Sequence, residues 1–524
     1  MTATLQLNPN AKSDNGFQAL AARLRCLLLK RNVSPRASCD ISHSDDSTTL
    51  QAPHKDTSAT RNTGEKRSDA SPSVHVHDLP PELLSEIFIH CLPSHPFPKP
   101  MIRDAPMLLC RVCSYWRQIA ISLSVLWSSF DFGLTYEMKS SHLALFQLWF
   151  GRSRTHPISF YLIPTGGTRA LRKVLFANIH RWRCIQFRLD AELGNAFLKI
   201  HADDAHSLES AWISIIPGNW KDEQVPSILT SFPNLRHLQW NGKFIPATVF
   251  TTSWPRLTRI DLMFCHVSTR DFLNLLSRCP AVEHIEAHRP LESLTSLRAG
   301  PCITVPNLQS ITFWADDPGE ILDNLTLPSL RSLTTQPLRD PKALQRLDCR
   351  SSCKLDAFEM TDYGLTDEDA LLYLRLPCMQ SLRSLKLGSG AVTDRLVELL
   401  TWKPRSHFNG TRALPHLTCL LLDLWKTTDG RVGDMISSRW YPDHIDAGDR
   451  PAPLKKVKLF YDDNDDYPIK DRSILKGVEF HAVDFACFEQ LAAQGLEISW
   501  RCCLFRLSWD SQTPHLSPHD FTSR

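Results

Sequence analysis

No stretch of this 524-residue sequence runs to the roughly 18 uninterrupted apolar residues that a bilayer-spanning helix needs, so no membrane partner is expected. The first residues, MTATLQLNPNAKSDNG, lack the basic and then apolar pattern of a secretory signal, which sets the expectation of a cytoplasmic or nuclear location. Charge of one sign is missing too. Lys and Arg number 59 against 56 Asp and Glu, a formal net charge of +3, so no overall field draws the chain to nucleic acid. Neither G-x-S-x-G nor H-E-x-x-H occurs, and PTGGTR around Gly166 has neither the spacing nor the Lys of a phosphate-binding loop. The sequence therefore shows no active site, and neither catalysis nor a cofactor is expected.

The sixteen cysteines do not form a framework. Most stand at apolar positions of helix-like or strand-like segments, where a reduced Cys behaves as a small hydrophobe. Cys110 and Cys113 form a C-x-x-C, yet both fall in a helix-period apolar pattern with no second pair at finger-like spacing, so core packing is the expectation. Four Asp crowd the run YDDNDDYP (461–468), but the Gly and Glu of a calcium loop are absent and a solvated loop is expected. His284, Glu286 and His288 alternate on one strand face, where exposed polar residues explain them better than a metal does.

Aromatics are absent from Asn32 to Ser73, where Ser, Thr, Asp, Arg and Pro dominate and too little apolar area is available to offset ordering entropy. Residues 1–72 thus read as mostly disordered, with one short helix over 17–31. Residues 511–524 read as a disordered tail.

Dense apolar sequence begins with HDLPPELLSEIFIHCLP. Pro at a helix start and Glu82 near its positive end favour a helix there, with Leu83, Leu84, Ile87, Phe88, Cys91 and Leu92 as a wide apolar stripe. A second helix is expected over APMLLCRVCSYWRQIAIS, and a third short segment ends in VLWSSF. Three short helices hardly fill a core, so stripes this wide imply hydrophobic surface left for a partner. Leu79-Pro80-x-Glu82-Leu83, Ile87-Phe88, Val112-Cys113-x-x-Trp116-Arg117 and Leu126-Trp127 resemble the F-box in order and near-spacing, in the form of the fungal, mushroom-type F-box-like family. The loop from Ser94 to Pro106 is longer and richer in Pro than that family's compact version. The resemblance delimits an F-box-like domain at 73–131. It implies a Skp-type adaptor as partner, and through it a cullin–RING ligase, with Leu79, Pro80, Leu83, Ile87, Phe88, Leu109, Val112 and Trp116 as adaptor-binding residues.

Beyond Asp131 one phrase recurs: FPNLRHLQW, WPRLTRIDL, CPAVEHIEA, VPNLQSITF, LPSLRSLTT, LPHLTCLLL. Its anchors Leu235, Leu257, Val282, Leu308 and Leu330 are separated by 22, 25, 26 and 22 residues. The same frame fits Trp182, Leu208, Leu355, Leu382, Leu417 and Leu454, with wider gaps of 35 and 37 marking loop insertions near the end. Apolar residues at anchor, anchor+3 and anchor+5 in such a period are the leucine-rich-repeat form, one strand and a helical return per unit. The expectation is an α/β fold: a small three-helix F-box, then a curved repeat solenoid over 132–510 with a parallel sheet on its concave face. DFACFEQLAAQGLEISW reads as a last helix and strand.

Strand alternation sends anchor+2 and anchor+4 outward. That row holds Trp212, His237, Arg259, Asp261, His284 and Glu286, the candidate client-binding residues, with Trp314 flanking it near a strand end. Together with the F-box resemblance this implies a substrate-recognition adaptor of a Skp–cullin–F-box ubiquitin ligase that acts by proximity on a protein substrate. A leucine-rich scaffold whose F-box acts independently of ubiquitin ligation is the alternative, and sequence leaves the two open.

Overall fold

The computed structural model describes residues 79–93, 95–132, 140–163, 169–292, 302–360, 365–388, 392–403, 413–423, 427–440, 451–461 and 481–502. The expected helix over 17–31, both tails and the acidic run after Tyr461 lie outside these residues. Two compact units are formed, Met1–Trp182 and Arg183–Arg524.

In the first unit the opening motif is a helix, Pro81–His90, entered from an extended Pro80 with Pro in its first turn and Glu82 beside its positive end. Leu84, Ile87 and Phe88 are its buried face, and the Phe88 ring lies 4.9 Å from that of Trp116. The expected second helix is not continuous. A 3₁₀ turn, Leu109–Arg111, is followed by an extended Cys113 whose Sγ accepts the Trp116 N–H at 3.4 Å, and the helix Ser114–Ser122 starts only there. Cys113 is therefore a half-buried cap rather than a packed interior residue, because an extended residue accepting the third N–H onward ends one helical run and begins another. Trp127 is fully buried and donates from Nε1 to the Ala120 carbonyl at 2.7 Å, tying the last 3₁₀ turn, Ser124–Trp127, to that helix. Strand β1 (Ser129–Phe132) follows, then the helix Ser140–Ser153 and β2 (Ile158–Leu162), which pairs parallel with β1.

The second unit carries the repeats. Its strands are β3 (Trp182–Leu189, starting at the boundary), β4 (Ser210–Ile215), β5 (His237–Asn241), β6 (Arg259–Met263), β7 (His284–Leu291), β8 (Ile303–Thr304), β9 (Ser310–Ala315) and β10 (Leu325–Thr326). They continue as β11 (Ser332–Thr334), β12 (Ala357–Met360), β13 (Ser384–Leu387), β14 (Cys419–Asp423), β15 (Lys456–Tyr461) and β16 (Glu497–Cys502). All pair in parallel and in chain order, except that β8 and β10 leave the series to pair with each other.

The register follows the repeat frame. Cys184, Ser210, His237, Arg259, His284, Ser310, Ser332, Ala357, Ser384, Cys419 and Lys456 stand opposite one another along successive strands. Every anchor from Trp182 to Leu454 is buried, as is every residue three places on, so one apolar rib runs under the sheet. Helices return between strands where caps start them: Ser268 Oγ accepts the Asp271 N–H (3.1 Å) and Thr366 Oγ1 accepts that of Asp369 (3.2 Å). Thr393 also precedes a helix, Asp394–Leu400, but its hydroxyl donates to Asp367 of the neighbouring return instead. The expected final helix and strand are Ala482–Ala493 and β16, joined through Gly495 in left-handed backbone (φ 101°).

Candidate functional site

On the polar side of the sheet the side chains at anchor+2 and anchor+4 are half-buried, with one exception: Asp261 is only 5% exposed. Its neighbours cover it. His237 Nε2 on β5 lies 2.8 Å from Asp261 Oδ2, and Arg259 Nε on its own strand donates to the same oxygen at 3.1 Å. Arg259 then reaches across to β7, where Nη2 donates to Glu286 Oε1 at 2.7 Å, and His288 Nε2 lies 3.2 Å from Glu286 Oε2. At the other end the Ser210 hydroxyl is 3.1 Å from His237 Nδ1. Two indoles close this line: Trp212 has its ring centre 6.3 Å from His237, and Trp314 stands 6.3 Å from His288.

Burial alone would push the Asp261 carboxyl up. Hydrogen bonds from His237 and Arg259, and the charges they carry, outweigh it and hold the group below the usual carboxylate range. Arg259 is affected in the opposite sense: partial burial works against its charge, but Asp261 and Glu286 raise its pKa. A carboxylate fixed in this way is a brace. It orients His237 and Arg259, and of the six candidate client-binding residues Asp261 is the covered one while Trp212, His237, Arg259, His284 and Glu286 are half-buried.

His284, Glu286 and His288 do not converge as ligands. Among the described residues, the His/Asp/Glu/Cys group with ligand atoms all within 4.8 Å of one another is Asp429, His481 and Asp484. Those atoms are already engaged. Asp429 accepts the Val483 and Asp484 N–H groups at 3.1 and 3.0 Å and so caps the start of the helix Ala482–Ala493, while Asp484 accepts the Gly433 N–H at 2.6 Å and faces His481 Nδ1 at 2.9 Å.

The first unit divides the eight adaptor-binding candidates. Leu83 is 42% exposed, Pro80 is exposed, and Leu79 and Val112 are half-buried. Ile87, Phe88, Leu109 and Trp116 are all 2% exposed or less, which corrects their assignment as partner surface. They fill the unit's own core, since the helix packs that side of its stripe on Trp116. Met101 and Ile102, exposed in the loop after the first helix, add apolar surface that helical periodicity gave no reason to single out. Periodicity is equally silent on Phe244 and Phe264, exposed on neighbouring turns after β5 and β6; Phe264 has a left-handed backbone (φ 60°), where a bulky residue is strained.

A family model described as FBD-associated F-box protein At5g56370, LRR repeats, matches residues 212–370, from Trp212 on β4 into the first half of the helix after β12. The matched span contains the whole Trp212-to-Trp314 line. Over that span the strand-and-return units are similar to the leucine-rich repeats of that family. No curated protein matches the chain.

Proposed function

We propose that this chain is the substrate-recognition adaptor of a Skp–cullin–F-box ubiquitin ligase, of the fungal, mushroom-type F-box-like kind, working in the cytoplasm or nucleus. The observation carrying the reading is the joining, in one chain, of an F-box-ordered motif that leaves Leu83 exposed to a repeat unit like that of F-box-associated leucine-rich repeats. The first unit holds the Skp-type adaptor through Leu79, Pro80, Leu83 and Val112. The second holds a protein client on the polar sheet face between Trp212 and Trp314. Ubiquitin transfer is done by other subunits; this chain contributes proximity and no catalytic group.

The test is affinity purification of the tagged full-length chain, followed by measurement of client half-lives after its deletion. The reading expects a Skp-type adaptor and a cullin to copurify, and at least one captured protein to persist longer when the chain is removed. Adaptor without cullin, or unchanged half-lives, would favour a scaffold role.

A further inference from the structure

A cavity of about 290 Å³ opens on the helical side of the second unit, between the helices Asp367–Leu374 and Asp394–Leu400 and the residues just beyond. Its lining is cationic. Among the described residues Arg375, Arg395 and Lys403 line it, with Glu398 as the carboxylate of that lining. Lys403 Nζ lies 2.8 Å from Glu398, and Arg395 leans outward to Asp367 and Glu368 at 3.3 and 3.6 Å. Arg375 makes no ion pair among the described residues.

Trp402 supplies an aromatic wall. Its backbone N–H donates to Ser438 Oγ at 2.9 Å, and the buried Arg439 guanidinium sits 5.7 Å from the ring centre. Leu371 and Leu399 complete an apolar floor.

We propose that this cavity binds a small phosphate monoester with a flat apolar body. A phosphate carries about −1.5 to −2 charges near neutral pH, and it would meet Arg375, a lining cation with no ion pair among the described residues, with Arg395 and Lys403 beside it. The guanidinium of Arg375 presents the planar fork that suits phosphate oxygens, and Trp402 offers a face for a ring to stack on. Size sets the limit: ligand pockets run from roughly 300 Å³ upward, so the space suits one ring and its phosphate, not a dinucleotide.

Calorimetric titration of the full-length protein tests this with phenyl phosphate, inorganic phosphate, benzoate and phenol. Phenyl phosphate is expected to bind at least about tenfold tighter than each of the others. Arg375→Ala should weaken it about tenfold or more without changing the melting temperature, and Arg375→Lys should restore part of the loss. Trp402→Leu should lower phenyl phosphate to the level of inorganic phosphate; should that variant unfold, Arg375→Ala alone decides. Equal binding of phenol and phenyl phosphate, or full binding by Arg375→Ala, would overturn the proposal and leave these cations as partners of helix ends and their neighbouring acids. Adaptor copurification is untouched by either result, so failure here stays separate from failure of the ligase reading.

Discussion

His237 and Asp261 meet across β5 and β6 at 2.8 Å, on a face where every other row position is half open to water. Replacing Asp261 by Asn removes the charge that two donors converge on, at a cost of about 1–3 kcal/mol at neutral pH. The pH dependence has a definite sign. A carboxyl whose folded pKa is depressed stabilises the fold above its unfolded value near 4 and loses that contribution as pH falls through the lower folded value. Urea unfolding at pH 7 should separate wild type from Asp261→Asn, and the gap should narrow steadily below about pH 4; a gap independent of pH would refute the brace.

Leu83 and Ile87 share one stripe of the first helix but have opposite fates on substitution. Leu83→Asp should leave the melting temperature near that of wild type and abolish adaptor capture, because a charge is then desolvated only in the complex. Ile87→Asp, 2% exposed in the wild-type core, should unfold the first unit. Circular dichroism and a pull-down on each single variant check both outcomes. A Leu83→Asp protein that retains adaptor binding would remove this helix face from the interface.

Trp212 and Trp314 end the polar line on β4 and β9, and both are half-buried. Substituting both by Ala should abolish client capture in a proximity-labelling comparison made with and without proteasome inhibition. Skp binding and thermal stability should change little, since the apolar rib lies on the other side of the sheet. A double variant with an unchanged labelling profile would move attention to the turns bearing Phe244 and Phe264.

Arg439 is wholly buried and donates from its guanidinium to the carbonyls of Leu400, Ala413 and Leu414. Arg439→Met keeps most of the volume but strands three acceptors, so a loss of at least about 3 kcal/mol is expected in chemical denaturation. Arg439→Lys should recover only part of it, because one ammonium cannot reproduce the planar fork. A loss under about 1 kcal/mol would mean that water replaces the guanidinium.

The repeat frame could be read from sequence because its signals are local. The Pro-led anchors and the period-2 alternation place His237, Arg259 and His284 opposite one another, and the strands pair in that register. Asp261 shows where such reading ends. Alternation assigns it correctly to the polar face, but its burial depends on side chains from β5 and from its own strand folding over it, and no spacing encodes that. Leu83 and Ile87 mark the same limit on a helix: a wide stripe names both, and only the position of Trp116 tells which is covered. Arg375 and Trp402 gave no signal at all, being separated by a full repeat and brought together by stacking.

Between the anchors Leu382 and Leu417, and again between Leu417 and Leu454, the chain takes 35 and 37 residues where earlier repeats take as few as 22, yet β13, β14 and β15 keep their register. The extra length falls between strands whose pairing is unchanged. Connection length and strand register are therefore separable here: these two connections are longer than the earlier ones, and the polar-row residues they link still stand opposite one another. Drift in the polar row can in turn retune what that face recognises while the spacing between its positions stays fixed at one strand per repeat.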